Sequence, residues 1–486
     1  MSQAIPAACG LIVLEEVCGM RVLIMMLSVM AIVGCATSPM LGGKDAMPDF
    51  CKNFVAEAPD NLDDSFPGSR EVWENFNKFY QDAKQRKLVV FMDGTGNDKS
   101  SATNVRKLYR LSVQQACSGK AVISYYDRGV GAKWNNRVLG GLLGEGASLN
   151  IRQAYRFLVE AYNPGDEIYL IGFSRGAFTA RSLNGFIKFA GLVDRSTIES
   201  KWYDAVPLLG MSSLHSTVGS LYGAYKVAYN GNPTFDSYLE GELVKEKTKQ
   251  GVRSIEIMVS AIGVFDTVPA YGLFHDDEPD NHRLDLYARQ GFHALSLDEQ
   301  RNDFRVLRFE PLRLSGDQEL REVWFAGVHS DIGGSYSKSF DCVLAETKDP
   351  HRGHPDHYRP GLESTSLNWM LRSFEEFEIF PKGTRSKECP DGSLHDEFFG
   401  KTGWLYHDLG TFRRTPRQGD FIHESVLTRL LKPQLEDPHS EREPGGKYHF
   451  MGLPGPAAME KYFLPYDSDK KEYSKKHFVV VPSDSQ

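Results

Sequence analysis

EIYLIGFSRGAFTARSLNGF, residues 167–186, decides the fold. Glu167 to Ile171 alternates and is rich in Ile, Tyr and Leu, the pattern of a strand, whereas Ala177 to Phe189 carries apolar residues at helical spacing. Between them, Gly172-Phe173-Ser174-Arg175-Gly176 has the spacing G-x-S-x-G, in which a serine sits on a sharp strand-to-helix turn and the two glycines let neighbouring backbone pass close by. The spacing alone arises by chance in about one chain in five of this length. The flanking strand and helix therefore carry the assignment. The helix that follows directs the positive end of its dipole and its unsatisfied N–H groups toward Ser174, where an oxyanion would form.

Working outward, the pattern repeats. "KLVVFMDGTGN" (87–97) reads as a buried strand ending in a polar glycine turn, followed by a helix from about 103 to 115, and "AVISYYDRGVG" (121–131) reads as another strand. Ile151, Ala154, Tyr155 and Leu158 fall at i, i+3, i+4 and i+7 of an amphipathic helix. "IEIMVSAIGVFDTV" and "EVWFAGVHSDIGG" supply two further strands. Strands separated by helices predict an α/β fold, a mainly parallel sheet with helices on both faces. Ligands gather at the carboxyl ends of such strands, where Asp93, Asp127, Ser174, Asp266, His329 and Asp331 all fall. Residues 195–250, rich in aromatic and apolar residues amid Gly and Ser, break the rhythm and read as an inserted, lid-like segment.

The chain has 486 residues with a net charge of −8, and it lacks the basic stripe of a nucleic-acid binder. From Met20 a basic residue precedes an apolar run from Val22 to Val33 and then Gly34-Cys35, the pattern of a bacterial signal with a lipobox. Glu15 and Glu16 fit such a signal poorly, so Met20 reads as the true start. Cys35 is the expected lipidation site, and the absence of Asp at position 36 points to an outer-membrane lipoprotein facing the periplasm. The expected organisation is a signal region at 1–35, a tether and N-terminal segment at 36–86, a catalytic domain at 87–432 and a C-terminal extension at 433–486. Of seven cysteines, the four at 51, 117, 342 and 389 remain for pairing beyond Cys35, with three connectivities open. None has metal-ligand spacing, and no metal or cofactor is expected.

An activated serine needs a base and an acid that orients the base. The chain order Ser, acid, His is satisfied twice, by Asp266 with His329 and by Asp331 with His423. Taken together, Asp93-Gly94-Thr95, GFSRGAFTAR, FDTV, LDEQR, WFAGVHSDIGG and HESVLTR occur in an order that resembles an α/β-hydrolase family long described as an uncharacterised domain. Its characterised members include phospholipase effectors of the type VI secretion system. The resemblance implies Ser174 as nucleophile, Asp331 as acid and His423 as general base, with His329 beside the substrate and Asp266 a secondary candidate. It also implies an oxyanion turn of Asp93, Gly94 and Thr95 together with the N–H of Arg175. The expected activity is a serine hydrolase cleaving lipid carboxylic esters, a phospholipase acting at a membrane through its own lipid anchor, with no assignable immunity or secretion partner. Two alternatives share the scaffold: a catalytically silent envelope binding protein, and an amidase or peptidase with the same triad.

Overall fold

The computed structural model describes residues 47–53, 69–94, 103–129, 141–201, 204, 212–226, 235–269, 283–309, 314, 316–336, 361–390, 392, 394–395, 414–417, 419–431, 463–467, 472–475 and 479–482. The signal region with Cys35, most of the tether, Thr95, and most of the C-terminal extension lie outside them.

Eight strands form one sheet: β1 (Lys87–Met92), β2 (Val122–Asp127), β3 (Glu167–Phe173), β4 (Val259–Phe265), β5 (Ala288–Ser296), β6 (Glu319–Phe325), β7 (Phe421–His423) and β8 (Val479–Val481). Their order is β2-β1-β3-β4-β5-β6-β7-β8. Every neighbouring pair is parallel. A parallel strand is covered on both faces, so β1 and β3 are nearly continuous apolar runs, which corrects the alternation read over Glu167 to Ile171.

The helices are α1 (Ser69–Phe79), α2 (Asn104–Cys117), α3 (Gly141–Ala161), α4 (Arg175–Ala190), α5 (Ser213–Tyr225), α6 (Phe235–Gln250), α7 (His329–Gly333), α8 (Glu363–Ser373) and α9 (Glu424–Leu431). Helices α2 and α8 touch each other and cover one face, while α3 and α4 touch each other and cover the other. This is the mainly parallel α/β sheet with helices on both faces that the sequence predicts. Thr103 caps α2 by accepting the Arg106 N–H on its side chain, and the helix begins one residue later.

The insertion contributes α5 and α6, packed on the α3–α4 layer rather than on the sheet. Phe186 of α4 meets Tyr222 and Tyr225 of α5 at ring-centroid distances of 5.4 and 5.1 Å. Cys51 is disulfide-bonded to Cys117 at the end of α2. Cys389 is disulfide-bonded as well. No helix among the described residues is long and apolar enough to cross a membrane.

Candidate active site

Ser174 is held in a conformation that few residues accept. Its φ is 60° and its ψ is −127°, so its side chain projects from the end of β3 at the first turn of α4. Two hydrogen bonds fix the turn: Ser174 N–H donates to the Phe265 carbonyl at 3.0 Å, and Phe178 N–H donates to the Ser174 carbonyl at 3.2 Å. Gly172 and Gly176 are required by space. A Cβ on Gly172 would lie 2.7 Å from Ala177 Cα, and one on Gly176 would run into the carbonyl of Met92 and lie 2.5 Å from that of Asp93.

His329 and Asp266 complete the constellation. His329 Nε2 lies 2.7 Å from Ser174 Oγ, and His329 Nδ1 lies 2.6 Å from Asp266 Oδ2. The chain order is Ser, Asp, His, with each residue just past the carboxyl end of its strand, β3, β4 and β6. Phe173 stacks on the His329 ring at 4.8 Å and Phe304 meets it edge-on at 5.0 Å. Burial holds the imidazole below its usual range, partly offset by the hydrogen bond and charge of Asp266. It is therefore neutral and able to accept a proton.

This geometry corrects the assignment of Asp331 as acid and His423 as base. Residues two apart on an α-helix point about 200° away from each other, so once His329 at the start of α7 faces Ser174, Asp331 faces away. The Asp331 carboxylate instead accepts the N–H of Val328 at 3.1 Å, which caps α7, and pairs with His395 Nδ1 at 2.6 Å. His423 is buried at the end of β7, stacked on Phe325 at 4.6 Å, with its Nδ1 2.8 Å from Ser425 Oγ. It touches neither Ser174 nor Asp331. The secondary candidates, Asp266 and His329, are the pair that converges on the serine.

Asp93 is a turn-stabilising residue. Its carboxylate accepts from Gly94 N–H at 2.7 Å, Thr103 Oγ1–H at 2.6 Å and Tyr126 Oη–H at 2.7 Å. The Gly94 N–H is thereby turned toward Asp93, which corrects its place among the oxyanion donors. Arg175 follows Ser174 as the first residue of α4, so its backbone N–H stays at the oxyanion end of the helix.

Sequence reading missed the groups that hold the acid. Arg414 Nη1 donates to Asp266 Oδ1 at 2.5 Å and to Ser296 Oγ at 2.7 Å, and Ser296 N–H donates to the same Asp266 oxygen at 2.9 Å. Burial alone would raise the Asp266 carboxyl, but the charge of Arg414 and the contact with His329 carry it well below the usual carboxylate range. Arg414 lies in a basic stretch with no catalytic pattern, so no sequence signal separates it from a surface arginine. The LDEQR motif did carry a signal: Glu299 Oε2 accepts the His329 N–H at 3.3 Å, and Arg301 pairs with that carboxylate while its guanidinium covers Phe304 at 3.6 Å.

A family model described as "T6SS, Phospholipase effector Tle1-like, catalytic domain" matches residues 86–373, more than half of the chain. Ser174, Asp266 and His329 fall within the match, and His423 falls outside it. An uncharacterised protein of Saccharomyces cerevisiae, YEL023C, is 28% identical over 245 residues, covering 47% of this chain and 33% of the yeast protein. The chain thus spans about a third of the length of the curated relative it matches. Two solved structures show distant likeness. One, an uncharacterised protein from Pseudomonas aeruginosa, has 16% identity and a TM-score of 0.32, over 65% of this chain and 49% of that one. The other, the apo form of Thermogutta terrifontis esterase 2, has 14% identity and a TM-score of 0.28, over 62% of this chain and 86% of that one.

Proposed function

The chain belongs to the family of T6SS Tle1-like phospholipase effector catalytic domains, and we propose that it is a serine hydrolase cleaving carboxylic esters of phospholipids. The observation that carries this reading is the continuous line from Ser174 Oγ to His329 Nε2 and from His329 Nδ1 to Asp266 Oδ2. His329 takes the Ser174 proton as Oγ attacks the ester carbonyl, and Asp266 holds the ring with its Nδ1–H toward the carboxylate and stabilises the imidazolium. The Arg175 N–H, at the start of α4, receives the developing oxyanion. His329 then protonates the leaving alcohol. A water molecule, deprotonated by His329, attacks the acyl-enzyme and releases a fatty acid.

The reading extends to the site of action. On the lipobox reading of Cys35 the enzyme acts from the outer membrane facing the periplasm, and the Cys51–Cys117 disulfide suits that oxidising compartment. The insertion that carries α5 and α6 is read as an acyl-binding surface.

The test is fatty-acid release from phospholipid vesicles by the purified protein. Wild type is expected to release free fatty acid with a matching lysophospholipid. Ser174→Ala and His329→Ala each lose roughly 10⁴-fold or more, because members of a triad act as a unit. Equal release by wild type and a folded Ser174→Ala variant removes the serine from the mechanism.

A further inference from the structure

Behind the triad acid lies a second buried histidine that the mechanism above does not use. Asp266 has a φ of 43°, a left-handed conformation that a non-glycine residue keeps only where its surroundings hold it. The next peptide is held by His293, a fully buried residue of β5. Thr267 N–H donates to His293 Nε2 at 3.1 Å, and Thr267 Oγ1 lies 3.2 Å from the same nitrogen. A backbone N–H can only donate, so Nε2 is unprotonated and the ring proton is on Nδ1. That proton goes to Glu322 Oε1 at 2.8 Å.

Glu322 is fixed in turn. Arg308 Nε donates to Glu322 Oε2 at 2.8 Å, and both terminal nitrogens of Arg308 reach Asp420 at 2.9 Å. Asp420 also accepts the Trp324 indole N–H at 2.9 Å. The ladder runs from β4 through β5 and β6 to the loop before β7, and every member has its partner.

We propose that His293 is a positioning residue for the triad acid: as a neutral acceptor locked by Glu322, it holds the peptide after Asp266 in the turn that aims the carboxylate at His329. The inference rests on the reading of Ser174, His329 and Asp266 as the reacting triad. Charged groups around the ring are Glu322 from β6, Asp266 after β4, Arg308, and Arg181 of α4, whose guanidinium lies over the Phe309 ring at 3.9 Å. Burial opposes the attraction of Glu322 and keeps the ring below its usual range, consistent with an acceptor that stays neutral.

The test uses the rate at which a fluorophosphonate labels Ser174, read by intact mass across pH, which requires no knowledge of the natural substrate. His293→Leu is expected to slow labelling by roughly 10- to 100-fold, the scale of a displaced catalytic group. The acid limb of the profile is expected to move to lower pH, because the alignment of Asp266 is what raises His329. His293→Gln, whose Oε1 can accept the Thr267 N–H, recovers most of the rate and restores the limb. A merely structural role would lower the folded fraction without moving the limb. Folded His293→Leu with wild-type rate and limb overturns the inference.

If His293→Leu does not fold, wild type decides by nitrogen NMR of labelled histidine. His293 is expected as the Nδ1–H tautomer across neutral pH, and an Nε2–H tautomer overturns the inference. Wild type that fails to label at Ser174 removes the hydrolase reading itself and this inference with it. Labelling that is lost in Ser174→Ala but unchanged in His293→Leu removes this inference alone.

Discussion

Asp266 keeps a full charge with no solvent exposure, and the cost of that burial is offset by one cation, Arg414. Breaking a buried ion pair from one side leaves an uncompensated charge and typically costs about 3–5 kcal/mol. Arg414→Met is therefore expected to lower stability by that order and to lower kcat, since the Asp266 carboxyl then rises toward protonation. The sign follows from the depressed carboxyl: its contribution is present above the unfolded value of 3.8 and is lost as pH falls through the lower folded value. Acid unfolding of Arg414→Met should accordingly begin at higher pH than in wild type, as circular dichroism would show; coincident acid transitions would contradict the assignment. His423 gives the complementary case. Burial first, then the charge of Arg372, pushes it down to about 3, so between about 3 and 6.5 the unfolded chain binds a proton that the folded one refuses. Stability should fall as pH is lowered through that window, by up to about 1.4 kcal/mol per unit. In His423→Leu that slope should flatten while lipid hydrolysis stays within a few-fold of wild type, a pattern that separates a core histidine from a general base. Chain order and residue type made both histidines eligible for the triad. The neighbours, Phe173 and Phe304 for one and Phe325 and Ser425 for the other, distinguish them, and most of those contacts join residues far apart in the sequence.

The elbow was readable because its sequence pattern is local. Strand β3, the turn and α4 are consecutive, and the two glycines answer contacts with backbone within or beside that unit. Gly176→Ala puts a methyl group against the Met92 carbonyl, a backbone atom at the end of β1 that cannot rotate aside. Overpacking of this kind costs about 1–3 kcal/mol or more, and here the displacement falls on the residue two after the nucleophile. The expected outcome is a lower unfolding midpoint together with a loss of kcat larger than the change in KM, measured on vesicles; unchanged kcat would mean that the turn relaxes without moving Ser174. Helix α7 shows the limit of the same reasoning. The sequence VHSDIGG offers a histidine and an aspartate two residues apart, and which of them faces the serine depends on five residues being helical from His329 onward. Such a short helix leaves almost no periodicity to read. Its orientation is set from a distance, by Asn104 of α2 donating to the Ile332 carbonyl at 2.9 Å and by His395 pairing with Asp331.

At the scale of the whole molecule, the parallel sheet brings residues 174, 266, 293, 329 and 414 to one end, so the site is assembled only when the sheet closes from β3 to β7. Five of the strands were legible from apolar runs separated by helices, whereas β5, β7 and β8 and the order of strands in the sheet were not. Pairing among four candidate cysteines was not legible either, because three connectivities fit the same sequence. The Cys51–Cys117 bond spans 66 residues, and it ties the segment at 47–53 to the end of α2, the helix whose first residue, Asn104, also bonds α7 and α8. Closing a loop of that length restricts the unfolded chain by about 4 kcal/mol in the chain-entropy account. Cys51→Ala with Cys117→Ala should therefore lower the urea midpoint and steepen the dependence on denaturant, because the unfolded chain is then free to expand. Activity at low temperature should survive, since neither sulfur approaches Ser174, His329 or Asp266. The same reasoning predicts a compartment effect: wild-type protein made under reducing conditions should be no more stable than the double variant, because the bond at Cys389 is then open as well, and should gain stability on oxidation. Equal midpoints for oxidised wild type and the double variant would show that this crosslink contributes nothing to the assembled sheet.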